Sequence, residues 1–357
     1  MKKKFDPRLN PHQKNSFLVG IAFLLLLSFF ASLTIGSIDF DIDILINVLN
    51  PFSVSAFQSN ETIIIEKIRL PRVLLALLIG ATLASCGTVT QGLFRNPLAD
   101  PSLIGVSAGA SIGATIMIAV ASHWFGNRFS YDAFGVSMTS ASAFLFALIT
   151  VLLVYRLSTN QRGTSVATML LAGIAITALA GGFTSLLEYI SDSQSLRRIS
   201  LWGMGGLDGA NYIQVAIMTL ILSIIAIFFF RNHAELNALL LGESEARHLG
   251  VQVQKTKLTL IILVAAGVGT SVSLAGAIGF IGLIVPHIMR LIIGPNHRHL
   301  IPATLIAGAI LLLIADTLSR TIISPAELPV GIITALIGAP FFISLLRKRH
   351  QYGMQEG

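Results

Sequence analysis

Two acids, Glu188 and Asp316, fall in or beside long apolar runs of the sequence. An ionised carboxylate at that depth of a membrane is costly unless it is paired or hydrated, so each is either a proton or ion site of a coupled transporter or a packing and hydrogen-bonding group. Asp316 has Arg320 four residues on, within helical reach. A second polar stretch, LLLGESEARHLGV, places Gly242 and Gly250 around a short helical pattern, with Glu243 and Glu245 early and Arg247 and His248 late. That charge order suits a helix dipole. So small a helix is no domain; it is either a docking element gripped by another protein or an ordinary loop helix. The chain contains no Gly-Lys dipeptide, hence no G-x-x-x-x-G-K-[ST] phosphate loop, so any ATP hydrolysis belongs to another chain. The single cysteine, Cys86, sits in an apolar run and excludes an intramolecular disulfide.

The elements that must position these residues are membrane helices. Of 357 residues, 54% are hydrophobic and 11% charged, against roughly 25% charged in a soluble domain. Apolar runs recur at 16–36, 71–91, 100–121, 137–156, 165–189, 213–230, 258–275, 279–293, 302–320 and 330–346, about the length a helix needs to cross a bilayer. They do not alternate as barrel strands would. The expectation is an all-α membrane protein of about ten helices, with a tail at 1–15, one membrane domain at 16–346 and a tail at 347–357. No small-residue cleavage site follows the first run, which is read as a retained span. With the N-terminus inside, 17 of the 24 lysines and arginines fall on the inner side, which places both termini in the cytoplasm. The +7 net charge is thus a topology signal and not a nucleic-acid patch. Ten spans divide into two sets of five with opposite starting orientation, as in an inverted-repeat transporter.

Gly105, Gly109 and Gly113 recur every four residues, a smooth face for a close neighbour, with Ser107 and Ser111 available for interhelical hydrogen bonds. Gly276, Gly279, Gly282 and Pro286 cluster within eleven residues, so either a break near 275–279 or a kinked helix is expected. His287 reads as a packed polar residue. The segment SDSQSLRRISLWGMGGLDGANY carries Arg197, Arg198, Trp202 and Met204; Trp202 reads as an interfacial anchor, and the segment is a candidate contact for cargo or partner.

Five stretches resemble the FecCD-type permeases, the family importing vitamin B12, ferric siderophores and haem. They are the 242–250 element, RLPRVLLALLIGATLA at 69–84, QGLFRNPLADPSLIGVSAGA at 91–110, AGAIGFIGLIVPHIMRL at 275–291 and AELPVGIITALIGAPFFISLL at 326–346. The resemblance spans about residues 65 to 350. It implies a type II ABC importer-like bundle in the bacterial cytoplasmic (inner) membrane, in a homodimer or with a close paralogue. Two cytoplasmic ATPase subunits and an external substrate-binding protein would complete the assembly. By position, Gly242, Glu243, Ala246, Arg247, Leu249 and Gly250 match the element that receives motion from the ATPase. Arg69, Arg72 and Arg320 match external arginines that pair with acids of the binding protein; snorkelling, or pairing with Asp316, is the alternative. Gly105, Ser107, Gly109, Gly113, Gly276, Gly279 and Pro286 are assigned to helix packing or the translocation path. Asp316 is read as a packing or hydrogen-bonding group. The expected function is import of an iron chelate by alternating access. No catalytic residue, metal or cofactor is expected on this chain, with ATP and magnesium on the partner. A cobalamin permease is the alternative, followed by an ion-coupled secondary transporter and by a passive channel or assembly factor.

Overall fold

A computed structural model describes residues 10–36, 60–129, 133–160 and 163–353. Each of the ten apolar runs forms a helix: α1 (Pro11–Thr34), α2 (Leu70–Leu93), α3 (Val106–Phe129), α4 (Ala133–Ser158), α5 (Val166–Ile190), α6 (Tyr212–Arg231), α7 (Val253–Ala275), α8 (Ile281–Ile293), α9 (His297–Thr321) and α10 (Val330–Gly353). Seven are long and apolar enough to cross a membrane, while the apolar parts of α3, α8 and α10 are shorter. In lipid, only a helix satisfies every backbone polar group within its own segment, which is why apolar runs of this length take that form. Three short helices, Ser193–Met204, His233–Leu241 and Glu243–His248, lie between spans. Residues 1–9, 37–59 and 354–357 lie outside the described residues, and α10 runs to Gly353, through most of the stretch expected as a C-terminal tail.

Several boundaries differ from the hydropathy reading by four to eight residues, and two of the differences have a plain local cause. The third span starts at Val106, not 100, because the Asp100 carboxylate accepts the Ser102 N–H at 2.8 Å and Pro101 opens a 3-10 turn that ends at Gly105. The seventh begins at Val253, five residues before its apolar window, since Gln254, Lys255 and Lys257 continue the helix while lowering its hydropathy.

α2 is the axis of the bundle: 83% of its apolar window is buried, against 11% for α1. Small residues let neighbours close on it. Gly80 of α2 faces Gly308 of α9 so closely that a Cβ on either would overlap the other's carbonyl oxygen, and Thr88 donates to Thr304 at 2.9 Å. α8 lies against the same helix through Gly282 beside Gly87, with the Gln91 amide donating to the Leu283 carbonyl at 3.2 Å.

α3 and α4 form the other tight pair. A Cβ on Gly109 would sit 2.6 Å from the Phe146 carbonyl oxygen, one on Gly113 would strike that of Ser142, and the Ser142 hydroxyl donates to the Gly113 carbonyl at 2.8 Å. A Gly113→Leu substitution is therefore expected to destabilise the protein by about 1–3 kcal/mol, the usual penalty for overpacking. Gly20→Leu, with nothing within 4 Å, should be neutral. Thermal unfolding of both variants in detergent checks the contrast.

Candidate docking and gating sites

The Glu243–His248 helix sits between two glycines held at positive φ, Gly242 at 124° and Gly250 at 85°. A Cβ is poorly tolerated in such conformations, so these residue types fix where the helix starts and where the chain turns back. Ala246 is fully buried and anchors the inner side, its carbonyl accepting the Val251 N–H at 3.0 Å. Ser244, Glu245, Arg247, His248 and Leu249 face outwards, Leu249 at 65% exposure. The result is a small projecting surface with both charges and an apolar knob. Glu243 is not free: one carboxylate oxygen is paired with Lys257 of α7 and the other lies 3.7 Å from Arg247. Arg95, just beyond α2, comes beside Gly242.

The break near 275–279 exists. α7 ends at Ala275, Gly276 and Phe280 both take φ of 68°, and α8 begins at Ile281. Gly282 packs beside the Leu83 carbonyl, at mid-length of α2, so the non-helical backbone lies inside the bundle, which is tolerated where it borders protein or a cavity. A cavity of about 350 Å³ adjoins it, lined among others by Asp100, Ser102, Ser107, Val272, Gly279 and Phe280. Ser107 and Gly279, assigned above to packing or path, thus meet at one cavity, whereas Gly109 and Gly113 face α4. Gly105 abuts Thr150 of α4, Pro286 is buried within α8, and Gly276 is pressed against the Trp202 carbonyl.

Arg69, Arg72 and Arg320 are brought together at one end of the bundle, but as a buried cluster at 4–6% exposure and not as an open patch. Arg72 pairs with Asp316 at 2.9 Å and Glu327 at 2.6 Å, and Arg320 pairs with the other oxygen of Asp316 at 3.1 Å. Arg69 donates to the carbonyls of Leu33 and Thr34 at 2.8 and 2.9 Å, and Arg320 to the Ser32 hydroxyl at 2.8 Å. These bonds cap the open carbonyls at the end of α1. Asp316, fully buried, holds two guanidinium groups and so has the ion-pairing role weighed above.

Glu188 is half-buried near the end of α5. Trp202 packs partly against the core from the Ser193–Met204 helix. That helix is capped by Asp192, whose carboxyl is held below its ordinary range, first by the Ser195 N–H and then by the Ser195 hydroxyl. His287 stands edge-on to Phe341 at 6.2 Å. Among the described residues, no three His, Cys, Asp or Glu side chains gather as a metal site would need.

Lys257 went unnoticed in the sequence, where it counts only as a loop cation. A signal was present: with Val253, Ile261 and Val264 it falls on the buried stripe of α7, where a lysine must find a partner.

The model of the FecCD transport family matches residues 24–348. The chain is 45% identical over 286 residues to the hemin transport system permease protein HmuU of Yersinia pestis, covering 80% of this chain and 83% of that one. It is 42% identical over 287 residues to the cobalamin import system permease protein BtuC of Halobacterium salinarum, covering 80% and 74%. A solved structure described as an inward-facing conformation of a metal-chelate type ABC transporter superposes with a TM-score of 0.78 at 34% identity, covering 94% of this chain and 99% of that one.

Proposed function

Because the chain belongs to the FecCD transport family and is a permease of the ABC importer type, we propose that it carries an iron chelate, haem or a ferric siderophore, into the cytoplasm by alternating access. The observation that carries the importer mechanism is the Glu243–His248 helix, an outward-facing element too small to fold alone and fixed to the bundle by a partly buried ion pair. It is the surface for a cytoplasmic ATPase, two of which would serve a pair of permeases and hold ATP and magnesium. Hydrolysis moves the docked ATPases, and the bundle answers by opening its path to one side and then the other. Both termini then lie in the cytoplasm, and the membrane is the bacterial inner membrane.

The pairing with a second copy is supported by α5, where Gly181 and Gly182 face open space beside exposed Leu171, Ile174 and Leu186, so another helix backbone can approach closely. An external binding protein is assigned to the opposite end of the bundle. With the three arginines buried, an acid of that protein would reach Arg72 by competing with Glu327, the partly exposed member of the cluster. An ion-coupled mechanism finds less support, since Asp316 already serves two arginines.

The iron-chelate reading rests on the 45% identity to the haemin permease, and the 42% identity to the cobalamin permease sustains the second reading. Proteoliposomes holding this permease with its ATPase and binding protein decide between them. ATP-driven uptake of haemin or a ferric siderophore at least about tenfold above cyanocobalamin, a difference of about 1.4 kcal/mol, is expected. The reverse preference assigns cobalamin, and uptake indifferent to ATP overturns the importer mechanism.

A further inference from the structure

We propose that Lys257 is the positioning residue through which movement of the Glu243–His248 helix passes into the membrane, an inference that rests on the importer reading above. The Lys257 side chain is 4% exposed and its ammonium has two partners: the Glu243 carboxylate, at the first residue of the docking helix, and the Thr164 carbonyl at 3.3 Å. Thr164 lies in the short strand pair between α4 and α5, opposite Thr159, and its N–H is held from the same side by the Gln254 side chain at 3.2 Å. One ammonium thus fastens the docking helix, the first turns of α7 and the short strand just before α5. Glu243 has Arg247 as its other cation, but at 3.7 Å and on the helix itself, so that contact ties the helix to nothing else.

The segment that follows α5 meets the far end of α7. α7 runs unbroken for 23 residues, roughly 34 Å, to Ala275. α5 leads into the Ser193–Met204 helix and then to Gly205 and Gly206. The Gly206 N–H donates to the Ala275 carbonyl at 2.9 Å, and Gly276 presses on the Trp202 carbonyl and Gly205. The chain leading into α5 and the chain that follows it are therefore each tied to one end of α7, and Val268 and Val272 of α7 line the cavity beside the Gly276–Phe280 break. A displacement of the docking helix applied through Lys257 moves both rods, and with them that break. Without Lys257 the docking helix still carries its whole exposed surface, but it pulls on the rest of the chain only through its backbone.

The test uses the full assembly in proteoliposomes, with ATPase co-purification, ATP hydrolysis and uptake of the cargo that wild type transports all measured. Lys257→Met is expected to retain the ATPase and its hydrolysis and to lower cargo moved per ATP by about tenfold. Lys257→Arg should restore most of it. Glu243→Gln combined with Lys257→Met should be no worse than the single lysine change, because one ion pair is lost either way. Unchanged cargo per ATP in Lys257→Met, or loss of uptake only in step with loss of the ATPase, would overturn the proposal. A second measurement needs no partner: spin labels at Ser244 and Arg156, in a Cys86→Ser background, should give a narrow distance in the otherwise unaltered permease and a broadened one with Lys257→Met. An unbroadened distance sinks the role of Lys257 alone, whereas wild-type assemblies that couple no ATP to uptake sink the importer reading and the transmission with it.

Discussion

Asp316→Ala is expected to destabilise the protein by about 3–5 kcal/mol, the range for removing one partner of a buried ion pair. The carboxylate is fully buried and serves Arg72 and Arg320 at once, on different helices. Its loss leaves Arg72 with Glu327 alone and Arg320 with only neutral acceptors near the end of α1. Two cations that were separated by an acid then face each other in a poorly hydrated site. Because α1 leans on α9 through this end, and Thr317 adds a 2.9 Å hydrogen bond to Ser32, the damage should spread to α1 packing. Chemical unfolding in detergent micelles measures the change. Asp316→Asn, which keeps the shape and one acceptor, should fall between, and a triple exchange of Asp316, Arg72 and Arg320 to apolar residues should recover much of the loss. A cost for Asp316→Ala below about 1 kcal/mol, typical of exposed pairs, would show that water reaches the cluster.

The helices were readable because lipid leaves the backbone so few solutions; each apolar run from Phe17 onwards forms one. What hydropathy could not see lay at the ends. Polar residues extend α7 back to Val253, and a local side-chain cap at Asp100 delays α3 to Val106. Composition also separates badly between a cation on the surface and one inside. Arg69, Arg72 and Arg320 read as external through their match to the family's external arginines; the Arg320–Asp316 pair was within sight as an alternative, but Arg69 and Arg72 take their partners from residues 33, 34, 316 and 327, far away in sequence. The break after Ala275 was legible from glycine and proline density, but that it borders a cavity shared with Asp100 and Ser107 depends on the packing of α2, α3 and α7. Lys257 shows the same division: its helical phase is in the sequence, whereas the Thr164 carbonyl that it meets is not.

Arg247→Glu should abolish coupled transport by a different route from Lys257→Met. Arg247 has its side chain 57% exposed, and its contact with Glu243 is long, so the fold loses no more than about 0–1 kcal/mol. The reversed charge instead appears on the outward side of the docking helix, beside Glu245, where a partner that met a cation now meets a cluster of acids. Like-charge contacts across an interface cost several kcal/mol, so ATP-driven uptake should drop by at least about a hundredfold, with the ATPase failing to co-purify. Arg247→Ala, which removes the attraction without adding repulsion, should weaken co-purification by less, and added salt should lessen the charge-reversal defect because the site is open to ions. An Arg247→Glu permease that keeps its ATPase and its uptake would mean that another surface carries the docking. Loss of the ATPase in Arg247→Glu, together with its retention in Lys257→Met, would separate gripping the helix from pulling on what the helix holds.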